Sequence, residues 1–104
     1  MRTIKFRGIE INICNNEEHF TEVEKGIWET ETFDVLDKFL KPDKVFLDIG
    51  AWVGTLSLYA AKKGSYAKAY EPDPLASNWL IENIEANKFP KNRSMVVVMG
   101  RQAV

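Results

Sequence analysis

Ten residues constrain this chain more than any others: Val45-Phe46-Leu47-Asp48-Ile49-Gly50-Ala51-Trp52-Val53-Gly54. Residues 45–49 are apolar except for Asp48, short, and β-branched enough for a parallel core strand. Gly50 and Gly54 bracket a turn, and Leu56, Leu58, Tyr59 and Ala60 follow in a run that suits a buried helix. Glycine accepts unusual backbone angles and lets a ligand approach the main chain. A helix opening at such a turn directs free N–H groups and the positive end of its dipole at the same spot. Strand, glycine turn and helix in this order make a nucleotide-sized binding site.

The acid narrows the choice. A dinucleotide loop reads G-x-G-x-x-G. This loop reads D-x-G-x-x-x-G, with Trp52 where a middle glycine would sit, and its indole blocks close approach to a pyrophosphate. The Gly-Lys-Ser/Thr of a phosphate-binding P-loop is absent too. A dinucleotide-dependent oxidoreductase is therefore disfavoured. Asp48 repels phosphate and suits a ligand with a positive group, such as an amino acid ammonium. The plainer alternative is that Asp48 only caps the helix.

Around this stretch, 104 residues allow one compact domain with one core. Residues 3–14 alternate apolar and polar, with Gly8 breaking the register, and read as a hairpin with one buried face. Residues 15–18 read as a polar turn. His19 has no companion metal ligands in its segment and reads as a partly exposed structural residue. A helix is expected over 31–40, capped by Thr30 or Thr32, with Phe33, Leu36, Phe39 and Leu40 inward. The helix after Gly54 should stop near Lys62-Lys63-Gly64. A second strand is expected over 66–71. A helix with Asp73 as N-cap, Pro74 at its start and Leu75, Trp79, Leu80 and Ile84 inward follows it. Residues 95–99 read as a third strand buried on both faces. The β-α-β-α-β order implies a parallel sheet in the order third, second, first.

Charge and cysteine usage exclude some functions. The net charge of −1 supplies no basic field for a nucleic acid backbone. No apolar run reaches membrane-spanning length. The single cysteine, Cys14, cannot form an internal disulfide, which fits a reducing cytoplasm, and reads as a small buried hydrophobe. No metal site is expected.

Glu71 ends the second strand, 17 positions beyond Gly54, about where a ribose-binding acid belongs in such units. Its carboxylate accepts hydrogen bonds from both ribose hydroxyls, and adenine would then rest against Pro72. At this point the chain resembles the cofactor half of a class I S-adenosylmethionine-dependent methyltransferase. More narrowly, it is similar to the FkbM type. The motif residues are Phe46-Leu47-Asp48-Ile49-Gly50-Ala51-x-Val53-Gly54, then Tyr70-Glu71-Pro72, then a helix with Asn83 and Asn87. Trp28-Glu29 looks like that family's lead-in near the methionine end of the cofactor.

The resemblance implies an α/β fold: a three-layer Rossmann-like parallel sheet, part of the class I methyltransferase fold, preceded by a β-hairpin and helix. Residues 1–44 would form the hairpin and lead-in helix, and 45–104 the partial cofactor unit. It implies that Asp48, Gly50 and Gly54 hold the methionine end, with Ala51 and Trp52 completing that wall, while Glu71 and Pro72 serve the ribose and base. Trp52 replaces the family's usual small residue and reshapes the pocket floor. The implied reaction is O-methylation of a small-molecule or sugar hydroxyl, with no catalytic residue assigned. The alternative is a non-catalytic remnant that binds cofactor or a partner.

This chain supplies three of the family's seven strands, and the expected adenine loop, residues 100–104, is its last stretch. No turnover by the chain alone is therefore expected. One edge of strand 45–49 should be left unpaired and apolar, and such an edge recruits another strand. A homo-oligomer through that edge is expected.

Overall fold

The computed structural model describes residues 1–89 and the backbone of 96–99. Strands β1 (Arg2–Phe6) and β2 (Ile9–Ile13) pair antiparallel, with Phe6 opposite Ile9. Their two-residue turn places Arg7 at φ 47° and Gly8 at φ 82°. Two positive φ values match the strand twist, which is why a glycine sits here. Ile4, Phe6, Ile11 and Ile13 make the buried face.

Residues 15–18 are not a simple polar turn. Helix α1 (Glu17–Glu24) begins there and buries Phe20 and Val23. Asn16 with Glu17 and Glu18 is a helix-start pattern, although Asn16 enters the helix in a left-handed conformation and its side chain makes no cap hydrogen bond. Helix α2 (Thr30–Phe39) buries Phe33 and Leu36 but leaves Phe39 exposed. Neither Thr30 nor Thr32 caps it. Glu29 holds the cap position in a left-handed conformation, and the Thr32 hydroxyl donates to Glu29 Oε2 at 3.0 Å.

Next come β3 (Val45–Ile49), α3 (Thr55–Lys62), β4 (Tyr66–Tyr70), α4 (Pro74–Glu85) and β5 (Val96–Met99). The three strands pair in parallel in the order β3-β4-β5, as the βαβαβ pattern implied. Asp73 Oδ2 accepts the Ala76 N–H at 2.9 Å and Pro74 opens α4, the expected cap. Leu75, expected inward, is exposed, whereas Leu80 is fully buried. Residue 95, the loop 100–104 and the burial expected of the third strand lie outside the described residues.

Three layers result. Ala67 of β4 packs with Ala60 and Ala61 of α3, and Ala69 with Leu80 of α4, so both helices cover one face of the sheet. Successive right-handed crossovers in one direction require this. The hairpin, with α1 and α2, lies outside those helices. Phe6, Phe33 and Tyr59 form its edge-to-face core, with Phe6–Phe33 and Phe33–Tyr59 centroids 4.7 and 4.9 Å apart. The Tyr59 hydroxyl donates to Asp37, which also pairs with Arg7 at 2.8 Å.

The third layer is thus the hairpin rather than a second row of helices. That corrects the expectation that β3 is buried. Asp48 and Phe46 face the helices, but Val45, Leu47 and Ile49 are 56, 55 and 75% exposed. Among the described residues, no element covers their side. Cys14 is also exposed rather than buried.

Candidate functional site

β3 and β4 end side by side. Beyond them the chain turns through residues 50–54 into α3. The Tyr70 carbonyl accepts both the Gly50 N–H (2.8 Å) and the Ala51 N–H (3.0 Å), which extends the sheet pairing into the loop. The Gly54 N–H returns to the Ala51 carbonyl at 3.0 Å and closes the turn. Trp52, inside that turn, has φ 54°. A non-glycine residue held there costs about 1–3 kcal/mol and persists only when its surroundings demand it. Here Glu71 makes the demand: its Oε1 accepts the Trp52 N–H at 2.7 Å, and its Oε2 accepts the Asp73 N–H at 2.9 Å. Glu71 is buried. It therefore braces the turn after β3 and the cap of α4 together, and each of its oxygens keeps a lone pair.

The two motif glycines serve different ends. Gly54 has φ 94°, and a Cβ there would lie 2.6 Å from Leu80 Cδ1. Its missing side chain makes room for α4. Gly50 has φ 76° with nothing within 4 Å of a would-be Cβ, and it borders a cavity.

That cavity, about 240 Å³, is lined by Trp28, Glu29, Asp48, Ile49, Gly50, Ala51, Trp52, Thr55 and Leu56. Four of the expected site residues therefore meet at one hollow: Asp48, Gly50, Ala51 and Trp52. Gly54 sits behind it in the packing, Glu71 is linked to it through Trp52, and Pro72 is exposed outside its lining. Asp48 has a structural role as well. Its Oδ2 accepts the Ser57 hydroxyl at 2.6 Å, which ties the strand end to the first turn of α3. Burial pushes the Asp48 carboxyl above its ordinary range; the Ser57 bonds hold it down, and the Glu71 charge pushes it further up.

His19 had no visible partner in the sequence. In the structure its ring lies 4.7 Å from the Trp28 ring and 4.5 Å from the Trp52 ring, at interplanar angles of 89° and 67°. Its Nε2 is 2.6 Å from Thr55 Oγ1. Burial lowers its pKa, so the neutral ring is favoured. It wedges the two indoles against the start of α3. Nothing in the spacing of residues 19, 28, 52 and 55 signals this.

Asn83 and Asn87, marked only by resemblance, are fully or almost fully buried. The Cys14 N–H donates to Asn83 Oδ1 at 2.7 Å, while Asn83 Nδ2 donates to the Val53 carbonyl at 3.0 Å. Asn87 exchanges bonds of 2.8 and 2.7 Å with the backbone of Asn12. Side-chain amides thus take the place of a neighbouring strand along β2, and one of them pins the glycine turn. No group of three or more potential metal ligands occurs among the described residues.

Residues 29–104 match the family model described as ribosomal protein L11 methyltransferase (PrmA). The chain belongs to this family. The family is one of class I methyltransferases, and the match runs through the β3 turn, β4 and the cap of α4. Over 71 residues it is 44% identical to the ribosomal protein L11 methyltransferase of Ruminiclostridium cellulolyticum, covering 67% of this chain and 21% of that protein. Over 67 residues it is 39% identical to the tRNA (guanine(37)-N(1))-methyltransferase of Drosophila melanogaster, covering 64% of this chain and 15% of that protein. The chain therefore spans only a small part of the length of these methyltransferase relatives.

Proposed function

We propose that this chain forms the S-adenosylmethionine-binding part of a methyltransferase. The cavity at the carboxyl ends of β3 and β4, where open α/β sheets take their ligands, carries this reading. The residues present fit the cofactor. Gly50 leaves the cavity open, and buried Asp48 suits a cationic group. Glu71 keeps two free lone pairs for ribose hydroxyls. Asp48, Gly50, Ala51 and Trp52 would hold the methionine end, with Gly54 shaping the turn from behind, and Glu71 and Pro72 would serve the ribose and base. When bound, S-adenosylmethionine supplies an electrophilic methyl group on a sulfonium. The chain's part is to bind and orient it, and orientation is a large share of such catalysis. We assign no general base.

For the acceptor, the FkbM-type motif argues for a small-molecule or sugar hydroxyl. The relatives are a ribosomal protein methyltransferase and a tRNA methyltransferase, which argues for a macromolecule. We favour a protein acceptor, because a net charge of −1 offers RNA little attraction. A cytoplasmic setting fits such an acceptor and the lone Cys14. We further propose that the open β3 edge pairs with β3 of a second copy, since β3 is an outer strand of the β3-β4-β5 sheet and residues 45–49 hold no lysine or proline to protect that edge.

Calorimetry with S-adenosylhomocysteine tests the binding site, and no heat at millimolar ligand would remove it. A labelled-methyl assay offering ribosomal protein, tRNA and hydroxylated small molecules tests the acceptor. Label on protein supports our choice, and label on a small-molecule hydroxyl restores the FkbM-type reading. Bound cofactor with no label anywhere favours the non-catalytic alternative.

A further inference from the structure

Charge is segregated along the strands of the parallel sheet. Residues 45–61 and 69–87 hold no lysine or arginine, and Glu29, Asp48, Glu71 and Asp73 stand at the carboxyl ends of β3 and β4. Lysines gather at the amino ends. The Ser65 hydroxyl donates to the Lys41 carbonyl at 2.8 Å, and the Tyr66 N–H donates to the Lys44 carbonyl at 3.2 Å. Leu40 and Phe89 pack against the same alanine cluster of α3 and β4, and the Lys62 ammonium lies 5.5 Å from the Phe89 ring centroid. These contacts bring Lys41, Lys44, Lys62 and Lys88 to one end of the sheet, beside Lys38 in the last turn of α2. Helix dipoles account for Lys38 and Lys62, each in a last helical turn. They do not account for Lys41, Lys44 and Lys88, which lie beyond the helix ends and are exposed. Among the described residues none of the five makes a salt bridge; Arg2 and Arg7 make those. Asp43 and Glu85 are the acids within residues 38–44, 62–66 and 85–89. Aromatic rings stand among the lysines. Phe39 is 63% exposed, with the Lys38 ammonium 5.5 Å from its centroid, and Phe89 is half-buried. A five-residue strand separates the two ends by about 17 Å. Salt at 0.1 M screens charge beyond about 10 Å. The net charge of −1 therefore does not describe the field at either end.

We propose that this basic end binds single-stranded nucleic acid. Lys38, Lys41, Lys44, Lys62 and Lys88 meet its phosphates, and Phe39 and Phe89 offer rings on which its bases stack. Lysines interleaved with rings suit a flexible strand, whose unpaired bases are free to turn toward the protein. An acidic peptide would use the lysines and leave the rings idle. The site is independent of the cofactor reading, because it lies at the opposite end of the sheet. The carboxylates at the cavity end repel the same strand, so nucleic acid held here is not drawn into the cavity, and the choice of a protein acceptor is unaffected.

Fluorescence anisotropy of a short labelled oligouridylate, titrated with the whole chain, tests the proposal. With about four phosphates engaged, affinity should fall about fiftyfold between about 50 and 200 mM salt. Reversing two charges together, Lys41→Glu with Lys44→Glu, should weaken binding at least about tenfold. Both side chains are exposed and outside helices and strands, so the fold should persist, and thermal melting checks that it does. The same reversal at Lys5 and Lys25, exposed on β1 and after α1, should leave binding within about twofold. Phe39→Ser should weaken binding about fivefold without changing its salt dependence. No anisotropy change at about 50 mM salt and high micromolar protein would overturn the site. An equal loss at Lys5 and Lys25 would reduce it to diffuse attraction and overturn the assignment. Unchanged affinity in Phe39→Ser, or displacement by polyglutamate as efficient as by unlabelled oligouridylate, would overturn the choice of nucleic acid and leave a surface for acidic protein.

Discussion

The two faces of β3 have opposite fates. Phe46 and Asp48 turn toward α3 and α4, and with Ala51, Ala69 and Leu80 they belong to a packed interior. Val45, Leu47 and Ile49 turn the other way and remain more than half exposed. Parallel sheets are ordinarily covered on both faces. The covered face shapes the cavity, because the residues that pack there also end the strand and start the helix. The open face contributes nothing to the cavity except the Ile49 and Gly50 end of the strand. A candidate site can therefore be assembled from one side of a sheet, while the sheet itself still wants a partner on the other.

Substitutions can separate the two faces, and the largest effect belongs to the covered side. Gly54→Ala should cost roughly 2–5 kcal/mol, combining a disfavoured φ with a clash against buried Leu80. Thermal melting should show the loss. Gly50→Ala has the same φ penalty without the clash, so it should cost clearly less while narrowing the cavity. Equal losses in the two variants would mean that packing against α4 does not set the role of Gly54.

Next comes the brace. Glu71→Ala should weaken S-adenosylhomocysteine by roughly 1–3 kcal/mol. It should also change tryptophan emission, because the Trp52 backbone N–H loses its acceptor and the turn that positions the indole against His19 relaxes. Unchanged affinity would remove the ribose assignment. An emission change alone would leave Glu71 as a purely structural brace.

On the open face, Leu47→Glu should alter the stability of the single chain by no more than about 0.5 kcal/mol. Leu47 lies opposite Lys68, so the new carboxylate gains a cross-strand cation. The same change should abolish edge pairing. Light scattering should find a dimer for the parent chain and a monomer for the variant. A parent chain that stays at 11.9 kDa across micromolar concentrations would sink the edge-pairing proposal.

The smallest expected effect concerns pH. Burial lowers the His19 pKa in the folded state, so the unfolded chain binds the proton first. Stability from the neutral ring is complete above the ordinary value of 6.5 and is lost as pH falls from there through the folded pKa. Asp48 acts oppositely: its raised pKa makes stability grow as pH falls through that value toward 3.8. Asp37, lowered by Tyr59 and Arg7 against the opposing effect of burial, loses its contribution only below 3.8. Melting temperature should therefore fall from pH 7 toward pH 5, and His19→Gln should flatten that fall. An unchanged slope in the variant would remove His19 as its cause.

Much of the fold was legible where backbone preference speaks locally. Arg7-Gly8 marks a two-residue hairpin turn, Asp73-Pro74 a capped helix start, and Lys62-Lys63-Gly64 a helix end. Other features left no local mark. Phe39 and Leu75 fall on the wrong side of helices of the right period, and the burial of β3 depends on what lies over it. At the site, Asp48, Gly50, Ala51 and Trp52 were found because they are contiguous. Thr55, Leu56 and His19 were not, because they carry no motif of their own.

The sequence by itself determined the hairpin, the β-α-β-α-β order that follows residue 44, the direction of those strands and the place of the turn at residues 50–54. Those follow from preferences that each residue expresses with its neighbours: positive φ at glycine, capping by aspartate, a fixed φ at proline. Only the tertiary structure decided what the motif residues do. Gly54 makes room for Leu80, Glu71 holds the Trp52 turn, Asn83 ties Val53 to the hairpin, and His19 stands between two indoles. Each of these contacts joins residues well separated in the chain. Whether a side chain is buried, paired or exposed depends on which distant segment arrives beside it, and that is settled by packing rather than by local preference.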